Sequence, residues 1–468
     1  MTRTESSRRD GARCRPAWRL PAGCLLVALA AMTAGGVRAA PGVRPPRLDH
    51  TVSTLPNGLR LILHEDHSTP IVNVQVWYHV GSKDERAGRT GFAHLFEHLM
   101  FKGSKNVEPE QHTSLVSGVG GQANAYTTED VTVFWETVPS QFLPMALWLE
   151  ADRMATLRVD RATFERERDV VQEERRMRIE SQPFGRLPEI VNGFAFTVHP
   201  YRHPTIGSMA DLESASVEDV RDFYRTYYVP ANATVVIAGD IDPSRAVELA
   251  TEYLGRVPRS GRTVPRDIPG EPPRTSPRRL TMEERWPLPV VVVAHHVTSD
   301  GHPDSYALQM ASKILSDGQS SRIYRKLVYE TGIALSAAGI GNLSEHPNLF
   351  YAYALVQPGH TADEAEKALE RELDLLRTEP VSERELARAK HQFTRDYVMG
   401  RETVQQKASV LGRASVLHQG DVGSADAEFD RFQAVTAADI QRVAKAYFAR
   451  ETRIVITVTP KPADGGVK

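Results

Sequence analysis

Two hydrophobic periods alternate along this chain and lay out its elements. Residues 71–80 (IVNVQVWYHV) alternate and are rich in β-branched side chains, which predicts a strand. A polar loop over 81–89 separates it from a helical pattern that carries His94 and His98 and stops near Gly103. After a glycine-rich turn at 118–121, residues 122–137 (QANAYTTEDVTVFWET) alternate again, with Val131, Val133 and Trp135 on one face. Residues 141–157 predict a long amphipathic helix, and 163–179 (TFERERDVVQEERRMRI) a highly charged one. The plain reading of that charge is a solvated face laced with i,i+4 pairs. A capped helix over 216–228 leads into a buried strand at 233–239 (ATVVIAG).

Between 256 and 279 the pattern stops. Pro258, Pro265, Pro269, Pro272, Pro273 and Pro277 punctuate a stretch of Arg, Gly and Ser, which reads as an extended linker. The earlier pattern then returns. Ser216-Val217-Glu218-Asp219-Val220 has its counterpart in Thr436-Ala437-Ala438-Asp439-Ile440, and Val235-Val236-Ile237 in Val455-Ile456-Thr457, both at an offset of 220. His79-Val80-Gly81-Ser82 parallels His296-Val297-Thr298-Ser299 at an offset of 217. A repeat of this period means a duplicated domain. It divides the chain into an N-terminal half (41–255), the linker (256–279) and a C-terminal half (280–468).

Composition adds a compartment. The chain has 468 residues, 41% apolar and 25% charged, enough for more than one core. Residues 1–40 read as an export signal: a basic n-region with six Arg, an apolar run at 24–34 too short to span a bilayer, and a small-x-small cleavage site at Val37-Arg38-Ala39. The expected location is therefore periplasmic or secreted, with no stable membrane span once the leader is removed. Both cysteines, Cys14 and Cys24, lie in the leader, so the mature chain needs no disulfide. Loss of seven Arg and two acids takes the net charge from -2 to -7, which argues against nucleic acid as a partner.

The candidate chemistry sits in His94-Leu95-Phe96-Glu97-His98. At about 100° per helical residue, His94 and His98 lie about 40° apart, one turn along the axis. Two imidazoles on one face can take two corners of a metal tetrahedron. Glu97 is near enough to reach a water on the same ion. The order is the inverse of a zincin, the inverzincin pattern. A zinc hydrolase holds its metal by three protein groups, and without cysteine the third must be His or a carboxylate. Candidates cluster in the charged helix. The repeat places Ala311, Ile314 and Leu315 opposite His94, Glu97 and His98, so the second half carries the scaffold without the chemistry.

Over nearly all of its mature length the chain resembles the pitrilysin/insulinase family of zinc metallopeptidases, in particular its bacterial, processing-peptidase-like branch. The resemblance rests on residues 94–103 (HLFEHLMFKG), 120–127 (GGQANAYT) and 165–174 (ERERDVVQEE), with His199-Pro200-Tyr201, Ile206-Gly207 and Tyr228-Val229-Pro230 followed by Asn232. It implies an α+β fold of two homologous halves, each an antiparallel sheet with helices packed on it, enclosing a chamber. It implies one Zn²⁺ per chain on His94, His98 and Glu174, with Glu174 standing 76 residues after His98. Glu167, two turns before Glu174, takes the role of holding a ligating His. Asn124, Ala125 and Tyr126 fall in an edge strand that would bind substrate. The family's Arg/Tyr pair, which assists the oxyanion from the inactive half, maps to Arg322 and Leu335, and leucine donates no hydrogen bond. A homologous subunit supplying the complete pair is therefore expected. The function so implied is an exported zinc endopeptidase that hydrolyses peptides or unfolded segments by metal-activated water, with Glu97 as general base. The alternative is a non-catalytic assembly or peptide-binding subunit of a related heterodimer.

Overall fold

Among residues 44–461, which this computed structural model describes, the strands form one six-stranded and one five-stranded sheet. The leader and both cysteines fall outside the described residues. The first sheet contains β1 (Thr51–Thr54), β2 (Arg60–Glu65), β3 (Ile71–Tyr78), β4 (Gln122–Thr127), β5 (Thr132–Pro139) and β6 (Ala233–Gly239), in the order β1-β2-β6-β3-β5-β4. The second contains β7 (Arg278–Glu284), β8 (Val290–His296), β9 (Ala334–Gly341), β10 (Leu349–Val356) and β11 (Ile454–Pro460), in the order β7-β11-β8-β10-β9. Without β1 the two orders match strand for strand. Each sheet is antiparallel except for one pair, β2 with β6 and β7 with β11. The duplication extends to register. Val76 lies opposite Val235, and the residues 217 and 220 further on, Val293 and Val455, lie opposite each other too.

The alternating stretch 122–137 is a hairpin and not one strand. Thr128 breaks it, because its hydroxyl accepts the N–H groups of Asp130 and Val131 at 3.1 Å each and closes a tight turn. The alternation still holds across the turn: Val131 and Val133 are buried on one face, with Trp135 half-buried beside them.

One face of the first sheet packs Leu61, Leu63, Val74, Val76, Phe134 and Ile237 into the main core with the helices of its own half. The other face is covered from outside. The helix Val404–Leu417, from the second half, lays Ala408, Leu411 and Val416 on Ile62, Trp77, Val133, Val236 and Ala238. The exchange is mutual. The helix Leu187–Ala195, from the first half, buries Ile190, Val191 and Ala195 against Val290, Val292, Ile454 and Ile456. These two helices begin 217 residues apart, at the same place in the repeat. The halves are thus clasped reciprocally through apolar surface, and Gln75 adds hydrogen bonds to Gln405 O (2.9 Å) and Ser409 Oγ (3.0 Å).

Gly412 makes one of these contacts possible, since a Cβ there would run into the indole of Trp77. Gly412→Ala should destabilise the fold by about 1–3 kcal/mol of overpacking, partly offset by about 1 kcal/mol of better helix propensity. A urea-unfolding midpoint equal to that of the wild type would contradict the close approach.

A polar junction also joins the halves. Lys83, 2% exposed, lies 3.0 Å from Glu345 and 3.5 Å from both Asp84 and Asp130. Asp130 accepts the Tyr201 hydroxyl at 2.6 Å and the Glu345 N–H at 2.9 Å. His79 pairs with Glu345 at 2.8 Å. Burial works against the Lys83 ammonium, yet the three carboxylates raise its pKa above the ordinary lysine value.

Candidate metal centre

The helix Phe92–Leu99 is short, and its two faces divide the work. Phe92, Ala93, Leu95, Phe96 and Leu99 point into the core, which leaves His94, Glu97 and His98 on the other side. Its start is fixed by Glu85, a residue the sequence did not single out. The fully buried Glu85 side chain accepts the N–H of Gly91 (2.9 Å) and of Ala93 (2.8 Å), so a carboxylate caps the positive end of the helix. Gly207 explains the Ile206-Gly207 motif: it takes φ 76°, and a Cβ there would strike the backbone of Thr90 and Gly91 at the helix entrance.

The charged helix, Arg161–Arg175, buries Phe164, Glu167, Val171 and Arg175 as a stripe and brings its carboxylates over the first helix. Glu174 Oε2 lies 3.2 Å from His94 Nε2 and 3.2 Å from His98 Nε2. All three donor atoms lie within 4.8 Å of one another. Glu173, one residue earlier, is exposed and pairs with Arg176 at 3.0 Å. Arg178 holds the other Glu174 oxygen at 2.6 Å. It sits on a wide helical turn, Arg176–Glu180, where a regular helix was expected to continue.

The remaining nitrogens also face carboxylates. His94 Nδ1 lies 3.5 Å from Glu97 Oε2, and His98 Nδ1 lies 3.9 Å from Glu167 Oε2, a buried oxygen with no hydrogen-bond partner. Lys102 approaches Glu167 at 3.5 Å. Burial raises the Glu167 carboxyl, and Lys102 opposes that rise. The hydrogen bond from His94, working against burial, holds Glu174 down at about 2. Burial works against a charge on His94, but Glu174 and Glu97 bring it up to about 9. Burial and the neighbouring His94 push His98 the other way, below the ordinary histidine value, so the carboxylates favour a positive charge at His94 alone.

Two other His/carboxylate groups exist among the described residues. His112, Glu136 and Glu150 are sealed in the core, where Arg153 already binds Glu150. Asp300, His418 and Glu428 lie in the second half, where Arg413 and His418 both pair with Asp300. Among the described residues, only the His94 group combines three converging donors with an adjacent carboxylate, Glu97, that lines an opening to solvent. That opening is a cleft of ≈ 290 Å³ lined by Glu97, His98, Phe101, Lys102, Glu110 and Asn124, among others.

Asn124, Ala125 and Tyr126 lie on β4, which pairs only with β5 among the described strands and so forms the sheet edge beside the helix Phe92–Leu99. Ala123 and Ala125 face the core, whereas the Tyr126 ring turns to the opposite face and meets Trp77 edge-on at 6.2 Å. Arg322 is not joined to this group. Its guanidinium is bidentate to Glu385, at 2.6 and 3.0 Å, within the second half. Leu335 lies half-exposed on β9, the edge of the second sheet. Ala311, Ile314 and Leu315, opposite His94, Glu97 and His98 in the repeat, are completely buried core residues. Thr127, the last residue of the 120–127 motif and not assigned a role from the sequence, donates its hydroxyl to Glu97 Oε2 at 2.7 Å.

Residues 60–208 match the model of Insulinase (Peptidase family M16), and residues 214–393 match that of the Peptidase M16 inactive domain. The chain is 28% identical over 414 residues to the zinc protease PqqE of Helicobacter pylori, covering 88% of this chain and 93% of that protein. A crystal structure of a protease from Helicobacter pylori superposes with a TM-score of 0.85 at 28% identity, covering 88% of this chain and 100% of that one. The first half of the periplasmic protease PqqL from Escherichia coli shares the fold at 18% identity, with a TM-score of 0.71 over 89% of this chain and 93% of that one. With the Insulinase model over residues 60–208, which carry His94, Glu97, His98 and Glu174, and the inactive-domain model over residues 214–393, which follow them, the chain belongs to the insulinase family, peptidase family M16.

Proposed function

We propose that this chain is an exported zinc-dependent endopeptidase that hydrolyses peptides or unfolded protein segments. The observation that carries the reading is the convergence of His94 Nε2 and His98 Nε2 on one oxygen of Glu174, with Glu97 on the same helix face. Two imidazoles and a carboxylate are a zinc-hydrolase donor set, and the unpartnered Glu167 oxygen facing His98 suits a ring held for a metal. His94, His98 and Glu174 would hold the zinc, which would supply Lewis-acid polarisation of the scissile carbonyl and lower the pKa of a water to about 7. The carboxylate of Glu97 takes the proton of the attacking water and delivers it to the leaving amine nitrogen. Glu167 Oε2, 3.9 Å from His98 Nδ1, is the carboxylate oxygen placed to close on that nitrogen and hold the ring. Glu167→Ala should therefore weaken zinc binding by about 10–100-fold, read by chelator competition; unchanged affinity would remove Glu167 from that role.

The edge position of β4 supports substrate binding by strand addition, with backbone hydrogen bonds along Asn124, Ala125 and Tyr126. Export is supported by the leader at residues 1–40 and by the periplasmic relative PqqL. Arg322 tied to Glu385, together with leucine at 335, favours a homologous partner subunit that completes the Arg/Tyr pair. Oxyanion donors are worth about 10²–10³-fold in kcat, so the isolated chain should cleave slowly and gain about that factor from the partner. A full rate from the chain alone would remove the partner. The same two observations favour the second reading, a non-catalytic subunit. Mass spectrometry of a peptide pool incubated with zinc-loaded wild type and Glu97→Gln separates the readings, because the second predicts zinc binding without Glu97-dependent products.

A further inference from the structure

We propose that Thr127 is a positioning residue: its hydroxyl ties the edge strand β4 to the Glu97 carboxylate and keeps that carboxylate off His94. The inference rests on the metallopeptidase reading of the site.

Thr127 closes β4, and its side chain lies on the face of Ala123 and Ala125, toward the metal helix. The hydroxyl has one proton and donates it to Glu97 Oε2 at 2.7 Å. The same oxygen has a competitor, His94 Nδ1, at 3.5 Å. With Thr127 in place, Oε2 is occupied and Oε1 is left to accept a proton from water. Without it, the carboxylate is free to turn onto the imidazole, where it orients a ligand instead of acting as a base.

The support behind Thr127 is rigid. Thr127 pairs with Thr132, whose buried hydroxyl donates to Val80 O at 2.9 Å. The turn between them carries Asp130, which is gripped by Tyr201, Lys83 and the Glu345 N–H from the second half. The hairpin therefore cannot shift without disturbing the junction of the two halves. In this way the half without metal ligands contributes to the site: it fixes the turn that sets the height of the Thr127 hydroxyl. A peptide added along β4 would bear on the same strand, so strand engagement and base orientation share one element.

The test compares wild type, Thr127→Val, which keeps the shape and loses the donor, and Thr127→Ser, which keeps the donor. Thr127→Val should lower kcat for a quenched peptide by about 10–100-fold, the scale of a misaligned reacting group. KM should stay within about twofold, and zinc affinity by chelator competition should not fall, since Thr127 touches none of His94, His98 or Glu174 and a carboxylate turned onto His94 supports that ligand. Thr127→Ser should recover kcat to within about threefold. The inference is overturned if Thr127→Val keeps the wild-type kcat, if its loss tracks a loss of zinc, or if the serine variant is as impaired as the valine. A wild type that cleaves nothing overturns the reading of the site, and the inference with it.

Discussion

Glu97→Gln should retain one zinc per chain and lose peptide cleavage by about 10²–10⁴-fold, the contribution of a positioned general base. The substitution keeps the size of the side chain and an oxygen able to accept from Thr127 Oγ, 2.7 Å away in the wild type. What it removes is the ability to take a proton. Glu97 is also not part of the converging set: the three donor atoms that share the site belong to His94, His98 and Glu174. Metal retention and loss of turnover should therefore separate cleanly. Zinc content by atomic emission and cleavage of a quenched peptide, measured on the same preparation, read both. Equal turnover in the two proteins would mean that another group is the base.

The largest stability effect should come from Lys83→Met. The ammonium is buried among Asp84, Asp130 and Glu345, and removing it leaves buried carboxylates facing one another across the junction of the halves. Breaking a buried pair in this way costs about 3–5 kcal/mol, a large part of a typical net stability of about 5–15 kcal/mol. The urea midpoint of the variant should fall accordingly, and an unchanged midpoint would show that the junction is not under load. The same group predicts an acid limb. Burial alone would raise the Glu345 carboxyl, but His79 and Lys83 hold it at about 2. A carboxyl depressed in the folded state contributes stability above its unfolded pKa of about 4.3, and that contribution is lost as pH falls toward 2. Melting temperature should drop over that window, and less steeply in Glu345→Gln.

Much of this was legible in the chain itself, for physical reasons. The duplication could be read because strand register constrains both copies, and the offsets of 217 and 220 reappear as cross-strand partners. His94, Glu97 and His98 were legible because helical spacing alone puts them on one face. Glu174 and Glu167 were not derivable from spacing, since nothing in a charged helix says which of its carboxylates folds over a distant helix; the family resemblance chose them. Three features stayed hidden. The break at Thr128 carries no glycine or proline, because a side-chain hydroxyl makes the turn. Glu85 looks like any loop acid until the helix end it caps is known. The mutual exchange of helices gives no local signal, since an amphipathic helix does not say whose sheet it will cover. Arg322 fitted by alignment, but its position beside Glu385 depends on the packing of a helix some sixty residues later.

The most direct test is a titration of the metal-free chain with zinc while peptide cleavage is followed. The account predicts that activity rises linearly and breaks at one equivalent per chain, with no rise in Glu97→Gln. Cleavage that is present without zinc, or absent at saturation both alone and with the homologous partner, would contradict it.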